Sequence, residues 1–172
     1  MVNIVLFEPE KPANVGNIMR TCKALDARLI IVGYLTFDLS DKSLKRAGMD
    51  YLIGLDVERI SNLDEFFKKY GDKNIYYVTR YSSLIYSDAD YSSTKEDLFL
   101  MFGRESTGIP HDILRKYYSK TVRIPMTSDS RSLNLSNSVA ILLAEVKRQQ
   151  HFDGLSTSEV IKGENFLFEE NN

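Results

Sequence analysis

The stretch Ile124-Pro-Met-Thr-Ser-Asp-Ser-Arg-Ser-Leu-Asn-Leu-Ser-Asn-Ser138 decides how the rest of the chain is read. It opens on an apolar strand end, Val122 and Ile124, closed by a proline. A polar loop follows at residues 127–132, and from Leu135 to about Gln149 apolar residues recur at helical spacing. A short polar loop between a strand and a helix start leaves backbone N–H groups available to a ligand. Asn134, Ser136 and Asn137 stand where such residues are favoured as helix caps, and capping alone would account for them.

Two further stretches have the same character. Pro12-Ala-Asn-Val-Gly-Asn-Ile-Met-Arg20 is a strand-to-helix junction carrying Asn14, Gly16, Asn17 and Arg20. Phe102-Gly-Arg-Glu-Ser-Thr-Gly-Ile-Pro110 is a glycine-containing polar loop directly after an apolar strand. Loops of this kind at the C-terminal ends of strands are what an α/β ligand site is built from.

Working outward, the strands are Val2–Phe7, Arg28–Val32, Val57–Ile60, Ile75–Thr79, Leu98–Phe102 and Thr121–Ile124. Several are apolar throughout, as expected of strands buried on both faces. Helices are expected from Val15 (capped by Asn14) to about Asp26, over Asp41–Ala47 with Gly48 as its stop, and from Asn62 to about Tyr70. A short helix begins with Pro110 in its first position, and the long closing helix follows the last strand. Alternating strands and helices give an α/β class, a mostly parallel sheet flanked by helices. Residues 80–93 form a polar, tyrosine-rich stretch, and the tyrosines of 76–91 read as strand and loop packing, with base stacking as the other option.

The 172 residues suit one domain, without a membrane-length apolar run or an export signal. A single cysteine, Cys22, forms no internal disulfide, which suits a reducing cytoplasm, and it falls on the apolar face of the first helix. His111 and His151 lack partners at metal-ligand spacing, so no metal is expected. Residues 151–172 hold five acidic side chains (Asp153, Glu159, Glu164, Glu169, Glu170) against Lys162 alone. The rest of the chain therefore carries a small positive excess, with seven basic and four acidic residues within 11–50. That is a mild basic patch, below the charge of most stand-alone nucleic-acid binders.

The three loops together resemble the signature motifs of the SPOUT superfamily of RNA methyltransferases. The matching patterns are N-x-G-N-x-x-R, F-G-x-E-x-x-G-I-P and I-P-M-x-x-x-x-x-S-L-N-L-S-N-S-V. The likeness is nearest the YibK/TrmL type, which 2′-O-methylates the wobble cytidine or uridine 34 of certain tRNAs. It implies a SPOUT fold with a deep trefoil knot in the C-terminal half, S-adenosyl-L-methionine as cofactor, tRNA as partner and a homodimer. The match runs over 1–151, leaving 152–172 as an acidic tail in which Phe166, Leu167 and Phe168 are free to dock.

Carried onto this chain, the resemblance implies that Thr79, Arg80, Gly103, Ile124, Met126, Leu133 and Ser138 contact the cofactor. Gly103 would let main chain approach the ligand closely. Arg20 would stabilise the alkoxide that develops on the ribose and hold a phosphate, since a guanidinium stays protonated and is not itself a base. Asn14, Glu105, Ser136 and Asn137 fill the remaining polar signature positions. Glu105 would orient Arg20 or substrate groups, and Ser136 would bond the nucleotide or order its loop. The general base is left unassigned. Ala144 departs from the tyrosine that family members often carry before the glutamate, here Glu145, and this touches one interface contact. Two alternatives remain: the same chemistry at another tRNA or rRNA site, or a non-catalytic RNA-binding protein on this fold.

Overall fold

The computed structural model describes residues 1–38 and 55–168. Its strands are β1 (Val2–Phe7), β2 (Arg28–Val32), β3 (Val57–Ile60), β4 (Asn74–Val78), β5 (Leu98–Phe102) and β6 (Thr121–Val122). They form one sheet in the order β3-β2-β1-β5-β4-β6, and every pairing is parallel. The helices are α1 (Pro12–Ala24), α2 (Leu63–Tyr70), α3 (His111–Lys116) and α4 (Leu135–Gln149). The helix expected over Asp41–Ala47 lies outside the described residues.

The central strands explain the layers. Ile4 and Leu6 of β1 face one core with Leu29, Ile31, Leu98 and Leu100, and onto it pack Val15, Ile18 and Cys22 of α1 and Val139, Leu142 and Val146 of α4. Val5, Ile30, Phe99 and Met101 face the opposite core, covered by Phe66 of α2 and Leu114 of α3. Alternate side chains of each strand thus feed two cores, and the all-apolar run of β1 is what a sheet covered on both faces requires. Each fully buried Leu, Ile or Phe adds about 1.5–3 kcal/mol of transfer free energy. Lys147 is the buried cation in this packing. It donates from Nζ to the carbonyl of Asp26 at 3.1 Å and ties α4 to the C-terminal end of α1, where a positive charge is favoured.

Four expected boundaries need correction. The first helix begins at Pro12, not Val15, with Lys11 at the N-cap, so Asn14 lies inside the first turn and does not cap it. Proline at the first helical position supplies its own start signal, because the missing N–H is not needed there. Pro110 precedes α3 as its N-cap instead of occupying its first position. The last strand stops at Val122, and Arg123 instead bridges to Ile85. The strand expected at Ile75–Thr79 runs one residue earlier, Asn74–Val78. As expected, Asn62 caps α2 by accepting from the Glu65 N–H at 2.9 Å, and α4 spans the expected residues.

The segment 80–93 is held by the end of α4. Gln149 accepts from the Tyr91 N–H at 2.8 Å and donates to the Ala89 carbonyl at 3.0 Å. Tyr76 and Tyr91 are buried and meet edge to face at 5.0 Å. In the tail Phe166, Leu167 and Phe168 are exposed and do not dock on the core. Among the described residues no helix is long and apolar enough to cross a membrane.

Candidate active site

The sheet reverses direction of travel at β1, which lies between β2 and β5, and ligand sites in open α/β sheets form outside strand C-terminal ends near such a point. Here the segments that follow β4, β5 and β6 converge on a cavity of about 570 Å³. That size suits a small-molecule cofactor. Thr79, Arg80, Gly103, Ile124, Met126, Leu133 and Ser138 all line it, so one cavity gathers the seven residues assigned to the cofactor from the motifs. Val78, Phe102, Ile109 and Leu135 supply apolar wall, the kind of surface an adenine ring needs. Lys11, Arg80, Arg104 and Arg131 also line it, against Glu105 as the one carboxylate of the described lining. Glu8 pairs with Arg104 and offsets its charge, so the positive excess at the cavity comes from Lys11, Arg80 and Arg131.

Gly103 is required by a contact within its own loop. A Cβ there would lie 2.0 Å from the Gly108 carbonyl carbon and 2.1 Å from the Ile109 nitrogen. The close approach is to the loop's own backbone. Arg104 and Gly108 exchange backbone hydrogen bonds of 3.2 and 2.9 Å, and Gly108 closes this tight loop with φ +74°.

Glu105 and Asn134 connect the three motifs. The Glu105 carboxylate accepts from the Glu10 N–H at 2.8 Å, the Lys11 N–H at 3.2 Å and the Asn14 side-chain amide at 2.8 Å. It thus serves as the anionic cap that α1 lacks from its own sequence. Burial pushes this carboxyl up, but those N–H donors outweigh burial and hold it below the usual carboxylate range. An ionised carboxylate already engaged with three donors is a positioning group and a poor proton acceptor. The Asn14 Oδ1 in turn accepts from Asn134 Nδ2 at 3.0 Å. Asn134 caps α4, its Oδ1 accepting from the Ser136 N–H at 2.9 Å, the Ser136 hydroxyl at 2.7 Å and the Asn137 N–H at 3.4 Å.

Not every motif residue joins the cavity. Asn14 and Glu105 line it, whereas Ser136, Asn137 and Arg20 are not part of the lining. Ser136 is buried and serves the Asn134 cap, so ordering the loop is the role its contacts support. Arg20 lies on the exposed side of α1. Cys22 is fully buried, and burial pushes its thiol up to about 12, which leaves it inert. Sequence reasoning missed Lys11, Arg104 and Arg131, although their places within or beside the three motifs were a usable signal. Among the described residues no group of three or more His, Cys, Asp or Glu is placed to hold a metal.

Comparison with known proteins agrees with this geometry. A protein of Listeria monocytogenes, named as a candidate tRNA (cytidine(34)-2′-O)-methyltransferase, is 48% identical over 89% of this chain and 90% of its own. The Escherichia coli tRNA (cytidine(34)-2′-O)-methyltransferase is 39% identical over 90% of this chain and 97% of its own. A solved structure described for 2′-OH methylation of C/U34 on tRNA superposes with a TM-score of 0.78 at 33% identity, covering 88% of this chain and 97% of that one. The SpoU methyltransferase AviRb of Streptomyces viridochromogenes, solved with S-adenosylmethionine, gives 0.71 at 25% identity, over 88% of this chain and 58% of its own. Residues 1–144 match the SpoU rRNA Methylase family. With three motif loops meeting at one cavity on the fold these relatives share, the chain belongs to the SpoU methylase family, whose cofactor is S-adenosylmethionine.

Proposed function

We propose that this chain methylates the ribose 2′-hydroxyl of the wobble nucleotide, cytidine or uridine 34, of specific tRNAs. The observation that carries the reading is the convergence of three separate motif loops on one cation-lined cavity. Its relatives named for cytidine 34 supply the substrate. S-adenosylmethionine supplies an electrophilic methyl group on a sulfonium. The chain's own part is to hold and orient. Apolar walls at Phe102, Ile124 and Leu133 take the adenine, with Thr79, Arg80, Gly103, Met126 and Ser138 around it.

Arg20 is the proposed catalytic side chain. A guanidinium there would stabilise negative charge developing on the ribose oxygen and grip an adjacent phosphate. Because it lies outside the cavity, we assign it to the site of a second copy in a homodimer, with tRNA across the interface. Asn14 and Glu105 position the start of α1, and Ser136 and Asn137 position that of α4. We extend the proposal to a trefoil knot in the C-terminal half, a methyltransferase domain over 1–151 with a tail at 152–172, and a cytoplasmic site of action.

The test is incubation with labelled S-adenosylmethionine and tRNA from a strain lacking the enzyme, followed by nuclease digestion and mass spectrometry. A 2′-O-methyl group at nucleotide 34 is expected, and label at another position would refute the substrate. Arg20→Ala is expected to lower turnover roughly 10²–10³-fold. Normal turnover by a folded Arg20→Ala protein would remove it from the mechanism.

A further inference from the structure

We propose that Tyr81, His111 and Arg104 form a second subsite that holds a nucleotide of the RNA neighbouring the one that is methylated. This rests on the reading of the chain as an RNA methyltransferase. The structural basis is a concavity of about 600 Å³ that Phe7, Tyr81, Arg104, Thr107, Pro110 and His111 help to line. It shares Tyr81 and Arg104 with the cofactor cavity, so a ligand spanning both would need only to cross the 104–108 loop.

Tyr81 differs from the other tyrosines around it. Tyr76, Tyr77 and Tyr91 are at most 8% exposed and belong to the cores, whereas Tyr81 is 54% exposed at the edge of both concavities. Its ring is nonetheless held in place. The Arg80 guanidinium lies 5.0 Å from its centroid, and the His111 ring meets it edge to face at 5.5 Å and 86°. Its own N–H is bonded to the Thr79 hydroxyl at 3.3 Å. An aromatic plane fixed in this way loses little entropy when a base stacks on it.

Arg104 is held just as firmly. It forms an ion pair with Glu8 and lies over the Phe7 ring at 5.6 Å. Glu8 adopts a left-handed backbone, φ +44°, and the room for its side chain comes from Gly33, where a Cβ would meet Glu8 Cγ at 2.4 Å. A non-glycine residue held at positive φ is strained, and such residues cluster at functional sites. Glu8 offsets the charge of Arg104, so this side chain offers a flat hydrogen-bonding plane. Positive charge beside the subsite comes from Arg80, which lines the adjoining cofactor cavity, lies over the Tyr81 ring and donates to the Arg131 carbonyl at 3.3 Å. Unpaired bases of RNA loops are taken by aromatic, histidine and arginine planes in combination, and these are the groups assembled here.

The test measures binding of a labelled, unmodified anticodon stem–loop RNA by anisotropy, with cofactor affinity followed calorimetrically on the same proteins. Tyr81→Ala is expected to weaken RNA binding about 5- to 150-fold, the loss for one stacked base. Tyr81→Phe should stay within about twofold, because the plane is kept, and His111→Ala should weaken RNA binding while raising KM for tRNA more than it lowers kcat. Undiminished RNA affinity in both alanine variants would overturn the subsite. So would a fall in RNA affinity matched by an equal fall in cofactor affinity, which would return Tyr81 to the cofactor cavity. A wild-type protein that neither binds nor methylates tRNA would overturn the methyltransferase reading itself, an outcome separable from the variants.

Discussion

Replacing Glu105 with alanine removes the acceptor that holds the start of α1 against the second motif loop. Three donors lose their partner: the N–H groups of Glu10 and Lys11 and the amide of Asn14. A hydrogen bond to a charged group contributes about 1.5–3 kcal/mol, and an anion at a helix N-terminus about 0.3–1 kcal/mol. The two backbone donors lie at an exposed place, where water replaces much of what is lost. The Asn14 amide is the more enclosed donor, so we expect a net loss of about 2–4 kcal/mol. Glu105→Gln keeps an acceptor without the charge and should lose about half as much. Urea denaturation followed by far-UV circular dichroism measures both, with the m-value unchanged. The pH dependence gives a second reading. The folded carboxyl titrates below its unfolded value, so its contribution is complete above the ordinary carboxylate range and is lost as pH falls through the lower folded value. Glu105→Gln should remove that part of the acid dependence. An alanine variant within about 0.5 kcal/mol of wild type would refute the claim that this carboxylate anchors α1, because surface substitutions without a structural role lie in that range.

Gly103→Ala places a Cβ on the backbone of Gly108 and Ile109, which cannot give way as a side-chain tip can. The 103–108 loop must open, and calorimetry should show S-adenosylmethionine affinity lowered at least tenfold; retained affinity would count against the cavity as the cofactor site. Cys22, buried with its thiol pushed up to about 12, should resist thiol–disulfide reagents at pH 8 until urea unfolds the chain. Rapid labelling of the folded protein would contradict the packing of α1.

Much of the fold was legible because its strands are apolar on both faces and its longest helix has a clean period. The extents of β1, β2, β5 and α4 follow from that pattern alone. The seven residues that the family resemblance assigns to the cofactor line one cavity because each stands in or next to a loop that follows a strand, and parallel strands deliver such loops to one edge. What could not be read is where a side chain spends its hydrogen bonds. Asn14 looks like a helix cap locally, but Pro12 starts the helix earlier and the Asn14 side chain is taken by Glu105 and Asn134. Gly103 reads as a concession to a ligand, and the space of its missing Cβ is closed by the Gly108 and Ile109 backbone, a contact no local pattern announces. Ser136 is likewise explained by a neighbour two residues away. Exposure within the tyrosine-rich segment was illegible because the irregular backbone beyond Val78 gives no period that would separate Tyr81 from Tyr91.

The bridge from Glu105 through Asn14 to Asn134 also bears on when the protein becomes competent. Its two links join residues 91 and 120 positions apart. Contacts so distant along the chain are formed late, after the entropy of large loops has been overcome. A chain emerging from the ribosome can pair β1 with β2 early, but the rim of the cavity waits for α4. The cofactor would then bind the finished state and not its precursors, stabilising it in proportion to the logarithm of its concentration above Kd.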